Sequence, residues 1–396
     1  STSFMKRFLL LISLLLLACE DKSSENCPTP TSGAFTKVQL RGTITKDSIN
    51  SLRADFGIED KYEAIYDVSV VAVEYETLGP KGEAIIASGA VYIPIKEDNE
   101  PMSLISGQHG LTIKKYDVPS VIPSYGYFGF FGAAIGYAAI QPDYVGLGTS
   151  DYPFYPFGQK ANGRALVDMA DGMMTYACEN DINLNDNFFV MGYSDGGYNS
   201  IAMHQEMTNN PRSFDIDASV VFAGFFNLER PAGLQFPDEI PNPAWTVFPI
   251  YVMDQVHNLG LMDKVIRSPY LEKLSNTFSG QYDRIAINSR LTTVTQDLFT
   301  SAFINDYDTS SIFDAYKQQL KDQSFKNVTI SGDLLLIHSK EDEVVPYSES
   351  VNLHDALKAS GQKVELQLLE TGSHSPVDYA PGIISALDWL KKYDQD

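Results

Sequence analysis

The sequence predicts an α/β protein: a mostly parallel sheet with helices on both faces, and a helical segment inserted between two late strands. Three observations carry this. Short apolar runs alternate with helix-period segments over most of the chain. One such run passes through Gly192-Tyr193-Ser194-Asp195-Gly196-Gly197 directly into a helix. About a hundred residues, Phe226 to Val328, then show helical patches and no strong strand, too long a stretch for a structureless loop.

Strand signals begin near Tyr62. Tyr66 to Thr77 alternates and is rich in Val and Tyr; Gly79-Pro80-Lys81-Gly82 separates it from Glu83 to Ile95, so the two read as an antiparallel hairpin at one edge. Met102 to Ser106 and Tyr137 to Gln141 are short apolar strands. Arg164 to Glu179 has helical period. Phe188 to Met191 is a buried strand, and a helix runs from about Gly197 to Met207. Ala218 to Ala223, Leu334 to His338 and Val364 to Leu369 complete the strands, and Gly382 to Tyr393 is the last helix. The inserted segment has helical patches at Tyr251 to Leu261, Ser311 to Leu320 and within Asn288 to Phe303, and it reads as a cap over the strand ends.

Gly192 to Gly196 spells G-x-S-x-G between strand and helix. Such a turn holds its serine in a strained conformation, aims the hydroxyl away from the sheet and sets a helix N-terminus beside it. The bare pattern arises by chance in roughly one chain in ten of this size; strand before, helix after and a third glycine raise it above that. In the α/β-hydrolase families that this turn resembles, the acid follows a late strand and the histidine follows the last one. Glu341, Asp342 and Glu343 follow Leu334 to His338; Asp342 opens D-x-x-V-P, which resembles the acid loop of many α/β-hydrolases, and its two neighbours read as solvated loop charges. Of six histidines, His109 and His204 precede any acid, His257 is in the cap, His338 ends a strand before the acid, and His354 lies mid-helix. His374, between the last strand and the last helix, satisfies both order and place. The candidate triad is therefore Ser194, Asp342 and His374.

Two N–H groups must also receive the oxyanion. One belongs to Asp195, directly after the nucleophile. The other is expected from the loop Gln108-His109-Gly110-Leu111, which resembles the His-Gly oxyanion loop of that superfamily, from Leu111 or from Thr112 one place on. His109 reads as a packed loop histidine without part in proton transfer. Asp143-Tyr144-Val145-Gly146-Leu147-Gly148-Thr149-Ser150 reads as a brace for that loop, its spacing being neither G-x-G-x-x-G nor a P-loop. Asp306 and Asp308 lack the further ligands of a calcium loop and read as solvated.

These residues together resemble the α/β-hydrolase superfamily from about Tyr62 onward. His109-Gly110, Pro142-Asp143-Tyr144, the serine turn, the long insertion and the late acid and base resemble the secretory lipase family and its bacterial esterase relatives. The resemblance implies the α/β-hydrolase fold and hydrolysis of a small-molecule or lipid ester through an acyl-enzyme. It implies neither metal nor organic cofactor.

The first 36 residues are of another kind. Met5-Lys6-Arg7 precedes an apolar run from Phe8 to Ala18, a positive n-region and an h-region of signal-peptide length. The run ends Leu16-Leu17-Ala18-Cys19, which resembles a bacterial lipobox, so Cys19 is the expected lipidation site, anchoring the protein to a membrane of the cell envelope. The expected organisation is a signal peptide over 1–18, a flexible tether over 19–36, hydrolase core over 37–225 and 329–396, and cap over 226–328. Export would permit a Cys27–Cys178 disulfide, although Cys27 falls in the stretch read as tether.

A net charge of −22 disfavours a nucleic-acid partner. Three rival readings stay open. A peptidase of the prolyl oligopeptidase type shares the serine turn and acid loop but carries a propeller ahead of them. An acyltransferase shares the triad. A non-catalytic surface lipoprotein would bind glycan or lipid and has no need of all three groups in order.

Overall fold

The computed structural model describes residues 27–394, apart from 31, 155 and 156. Nine strands form one sheet in the order β1-β2-β3-β5-β4-β6-β7-β8-β9. They are β1 (Phe35–Ile44), β2 (Val68–Leu78), β3 (Ala84–Pro94), β4 (Met102–Gln108), β5 (Ala138–Pro142), β6 (Leu184–Tyr193), β7 (Ala218–Phe222), β8 (Asp333–Ser339) and β9 (Val364–Leu369). The pairs from β5 through β4 and β6 to β9 are parallel. β1 pairs antiparallel with β2, β2 with β3, and β3 joins β5 antiparallel.

The pleat sorts each central strand onto two cores. Phe189 and Met191 of β6, Val220 and Phe222 of β7, and Leu335 and Ile337 of β8 face one side. There they meet the helices α2 (Tyr127–Ala134) and α8 (Ala380–Leu390), with α1 (Lys46–Asp55) against α2. Phe188 and Val190, Val221, and Leu334 and Leu336 face the other side. That face is covered by α3 (Asn162–Glu179), α4 (Asp195–Asn209) and α7 (Ser348–Ala359). Burial on both faces is why these strands read as unbroken apolar runs.

Between β7 and β8 the chain leaves the sheet for the cap. Its longest helices are α5 (Pro243–His257) and α6 (Asp314–Asp322), with short helical turns between them. The cap has an aromatic core of its own: Phe299, Phe303, Tyr307 and Phe313 pack ring to ring.

The structure departs from the sequence-based expectation at the N-terminal side. The sheet begins at β1, well before Tyr62. This edge strand is exposed along most of its length, with Val38 and Leu40 at 47% and 68%, so no burial pattern marks it. The stretch read as tether is pinned from Cys27 onward. Cys27 is joined to Cys178 near the end of α3. Thr175 Oγ1 donates to Pro28 O at 2.7 Å, and Ser32 donates its N–H to Asp171 at 3.3 Å and its hydroxyl to Asp168. Asp168 is in turn held by Arg164 and by the buried Arg212. A Ser-, Pro- and Thr-rich segment attached through a disulfide and polar groups has the composition of a linker without its freedom. Cys19 and the expected signal peptide lie outside the described residues.

Candidate active site

Ser194 stands where β6 turns into α4. Its backbone is at φ 57°, ψ −118°, in the left-handed region that costs a non-glycine residue about 1–3 kcal/mol. The surroundings fix it there: Ser194 N–H donates to Phe222 O at 2.9 Å on the neighbouring strand. The flanking glycines are required by close approach. A Cβ on Gly196 would come within 2.0 Å of Gln108 O, and one on Gly192 within 2.2 Å of Gly196 O.

The three residues of the candidate triad meet. His374 Nε2 lies 2.9 Å from Ser194 Oγ, and His374 Nδ1 lies 2.7 Å from Asp342 Oδ2. Asp342, on the loop after β8, is held on both oxygens. Its Oδ1 accepts from Val344 N at 3.0 Å and Val345 N at 2.8 Å; its Oδ2 also accepts from the hydroxyl of Tyr379 at 2.8 Å. The buried His338 lies 3.6 Å from that oxygen. Burial alone would raise the carboxyl. The neighbouring His338 ring and hydrogen bonds from His374 and Val345 outweigh it and hold Asp342 well below the usual carboxylate range. An ionised acid here fixes the imidazole with its Nδ1 protonated and leaves Nε2 to accept from the serine.

His374 is presented by a loop tied to the acid loop. Its backbone N–H donates to Glu343 at 2.9 Å, and Gly372 N–H donates to Glu341 at 3.4 Å. Tyr193 donates its hydroxyl to His374 O. Glu341 and Glu343, expected to be merely solvated, thus hold the base loop by its backbone while remaining exposed. Tyr379, His338 and Tyr193 give no signal in the sequence because each looks like an ordinary core residue, and only proximity in the fold reveals its partner.

The other histidines are engaged elsewhere. His109 is buried, stacked on Tyr144 at 4.1 Å, with its ring nitrogens at Gly110 O and Asp143 O. His204 bonds Ser219 at 2.7 Å, and burial pushes it down to about 3. His257 meets Gln159 and His354 meets Asp355. The segment after β5 braces the loop that carries His109: Tyr144 donates to His109 O at 2.6 Å, and Asp143 receives Ser88 Oγ at 2.6 Å and Ser120 N at 3.1 Å. Asp308 accepts from Gly233 N at 2.7 Å, so it fastens a cap loop instead of facing water alone.

Ser194 and His374 open onto a cavity of about 460 Å³. Its walls are mostly apolar: Phe157 and Leu111 from the core, Trp245 and Met253 from α5, Tyr316 and Leu320 from α6. Leu111 reaches this cavity. Thr112 lines a second depression of about 400 Å³ beyond it, together with Lys114, Asp117, Asp283 and Arg284. Gly110, Leu111, Tyr193 and Trp245 border both spaces. Of the aromatic residues between β4 and β5, Tyr125 and Tyr127 line the second space, whereas Phe128 and Phe130 are packed in the core.

The chain is similar to known proteins in two ways. A model of the prolyl oligopeptidase family matches residues 279–394, less than a third of the chain. That stretch contains Asp342 and His374 but not Ser194. No curated protein matches the chain in sequence.

Solved structures match nearly all of it. The rice cell wall degrading esterase LipA from Xanthomonas oryzae is 22% identical with a TM-score of 0.81, covering 92% of this chain and 100% of its own. A provisionally assigned hydrolase from Legionella pneumophila is 21% identical with a TM-score of 0.81, covering 91% and 98%. Candida antarctica lipase A in its closed state is 14% identical with a TM-score of 0.65, covering 93% and 84%. What is shared at such identities is architecture, and this chain has the α/β-hydrolase fold.

Proposed function

We propose that this protein is a serine hydrolase that cleaves carboxylic esters through an acyl-enzyme. The observation that carries the reading is the unbroken line Ser194–His374–Asp342, at 2.9 and 2.7 Å, on the floor of an apolar cavity. Ser194 Oγ attacks the ester carbonyl while His374 Nε2 takes its proton. The oxyanion is received by the N–H groups of Asp195 and Leu111. The imidazolium returns the proton to the departing alcohol as the acyl–oxygen bond breaks. Water, deprotonated by His374, then attacks the acyl-enzyme and releases the acid and free Ser194.

The cavity at Ser194 and the depression that adjoins it across Gly110, Leu111, Tyr193 and Trp245 suggest how the ester lies. The apolar cavity under α5 and α6 suits an apolar acyl group. The neighbouring space, with Lys114, Asp117, Asp283 and Arg284, suits a polar alcohol. The esterase and lipase named among the similar structures agree with ester chemistry. The family match at 279–394 favours a second reading, a peptidase. Hydrolysis of p-nitrophenyl esters of graded length beside an aminoacyl anilide decides between them: ester turnover with an inert anilide is the expected result, and the reverse overturns the proposal.

We further propose that the protein is exported and held in the cell envelope by lipid on Cys19. The sequence Leu16-Leu17-Ala18-Cys19 supports this, and the Cys27–Cys178 disulfide suits an oxidising compartment. Cell fractionation tests it. Wild-type protein should sediment with membranes and Cys19→Ala should not; a wholly soluble wild type contradicts the anchor.

A further inference from the structure

Asp195 and Asp342 are the same residue type on either side of one nucleophile, in opposite surroundings. Asp342 has donors on both oxygens. The side chain of Asp195 is fully buried in the first turn of α4 and has few partners. Its Oδ2 accepts from Asn199 Nδ2 at 3.3 Å, Gly158 N–H faces it, and Oδ1 has no hydrogen-bond partner among the described residues. Among the described residues the titratable groups close to it are phenols: Tyr144 from the loop after β5 and Tyr198 on α4. No cation pairs with it among the described residues. A neutral carboxyl tolerates a missing partner at modest cost; an unpaired buried charge does not.

We propose that Asp195 serves as a neutral carboxylic acid behind the oxyanion site, and that its ionisation sets the alkaline limit of hydrolysis. The idea rests on the ester-hydrolase reading above. The backbone N–H of this same residue is the donor expected to receive the oxyanion. A carboxylate on the donor residue itself puts a negative charge beside the place where a second one must develop, and cancels the positive end of α4 that favours it. Tyr144 extends the effect to the other donor, since it feels the charge of Asp195 and holds His109 O at 2.6 Å, next to Gly110 and Leu111. Burial, only partly offset by Gly158 N–H and Asn199, pushes the Asp195 carboxyl up to about 7. Asp195 acts through backbone and field, and is a positioning residue.

Two measurements test this. The first is kcat/KM against pH on a soluble p-nitrophenyl ester, for wild type and Asp195→Asn. The wild type should lose activity above neutrality, steepening toward tenfold per pH unit, and the amide variant should carry its plateau about one to two pH units further. Superimposable alkaline limbs overturn the proposal. The second does not depend on activity. Infrared spectra of the wild type carrying ¹³C-aspartate should show a protonated aspartic carboxyl that disappears as pH crosses neutrality; burial also raises the carboxyl of Asp143, so the band that counts is the one Asp195→Asn lacks. A protein whose aspartates are all ionised well below neutral pH overturns the proposal even if it is a good esterase. A protein that shows the neutral carboxyl and hydrolyses no ester overturns the functional reading instead.

Discussion

Tyr379 and His374 converge on one atom. The phenol donates to Asp342 Oδ2 at 2.8 Å, and the imidazole Nδ1 meets the same oxygen at 2.7 Å. With Val344 and Val345 N–H groups on Oδ1, the carboxylate is fixed in direction as well as in charge. The acid loop after β8 and the start of α8 are thereby locked together around the base.

That arrangement sets the size of two losses. Asp342→Asn keeps the shape but offers an amide N–H where the imidazole needs an acceptor, so kcat should fall about 10⁴-fold with the fold intact. Tyr379→Phe removes a bond to a charged group, about 1.5–3 kcal/mol shared between stability and catalysis, and also leaves the buried Ser339 N–H without its acceptor. Its kcat should fall about tenfold. Steady-state kinetics with circular dichroism checks both, and an Asp342→Asn enzyme within tenfold of wild type would remove Asp342 from the mechanism.

The nucleophile can be tested by chemistry alone. A fluorophosphonate should modify Ser194 and inactivate the protein, and Ser194→Ala should abolish labelling and lower kcat by at least about 10⁴-fold, since triad members act as a unit. Peptide mapping by mass spectrometry locates the adduct. An adduct on any other serine would move the active site.

The cap should govern acyl length. Leu320 on α6 and Met253 on α5 face the same cavity as Ser194. Leu320→Trp fills space that a long acyl chain occupies and a short one does not. At about 1–3 kcal/mol for one methylene in such a pocket, kcat/KM for octanoyl esters should drop about 10- to 100-fold, with acetyl esters changing least. Equal losses at every chain length would argue that the acyl group lies elsewhere.

The N-terminal strap should carry stability and not chemistry. The Cys27–Cys178 bond closes a sequence separation of 151 residues, and its loss typically costs about 2–5 kcal/mol. Cys27→Ser should unfold at lower urea concentration than wild type, with kcat on soluble esters unaltered under native conditions. A denaturation midpoint equal to wild type would show that the polar contacts of Ser32 hold the segment unaided.

Much of this fold was legible because its central strands are buried on both faces: β6 runs as an apolar stretch straight into Ser194, and β8 and β9 end at the acid and base loops. His374 could be found by order along the chain. Other features leave no such trace. β1 turns Val38 and Leu40 to solvent, so its hydrophobic residues point the wrong way for a pattern to register. The disulfide and the Asp168–Arg212 cluster tie together residues far apart in sequence through polar groups. Glu341 and Glu343 look like surface charges because they are, and their acceptance of backbone N–H groups from the base loop exists only once β8 and β9 lie side by side.

Asp195 should also mark the pH dependence of stability, with a sign opposite to that of Asp342. Asp342 is held low in the folded protein, so its contribution is present above the unfolded carboxylate range and is lost progressively as pH falls from there through its lower folded value. Asp195 is raised from 3.8 to about 7 by burial. Below about 4 both folded and unfolded chains hold its proton, and it contributes nothing. Between about 4 and 7 the unfolded chain releases the proton and the folded one keeps it, so stability falls as pH rises. Each pH unit in that window costs about 1.4 kcal/mol, and the penalty above neutrality amounts to a few kcal/mol. Asp195→Asn never carries that charge. Its unfolding free energy relative to wild type should therefore improve steadily from pH 5 to pH 8 and level off beyond. Urea unfolding of both proteins at several pH values measures the difference directly. A gap that stays constant with pH would mean that the carboxyl titrates alike in the folded and unfolded chains, and that burial does not hold its proton.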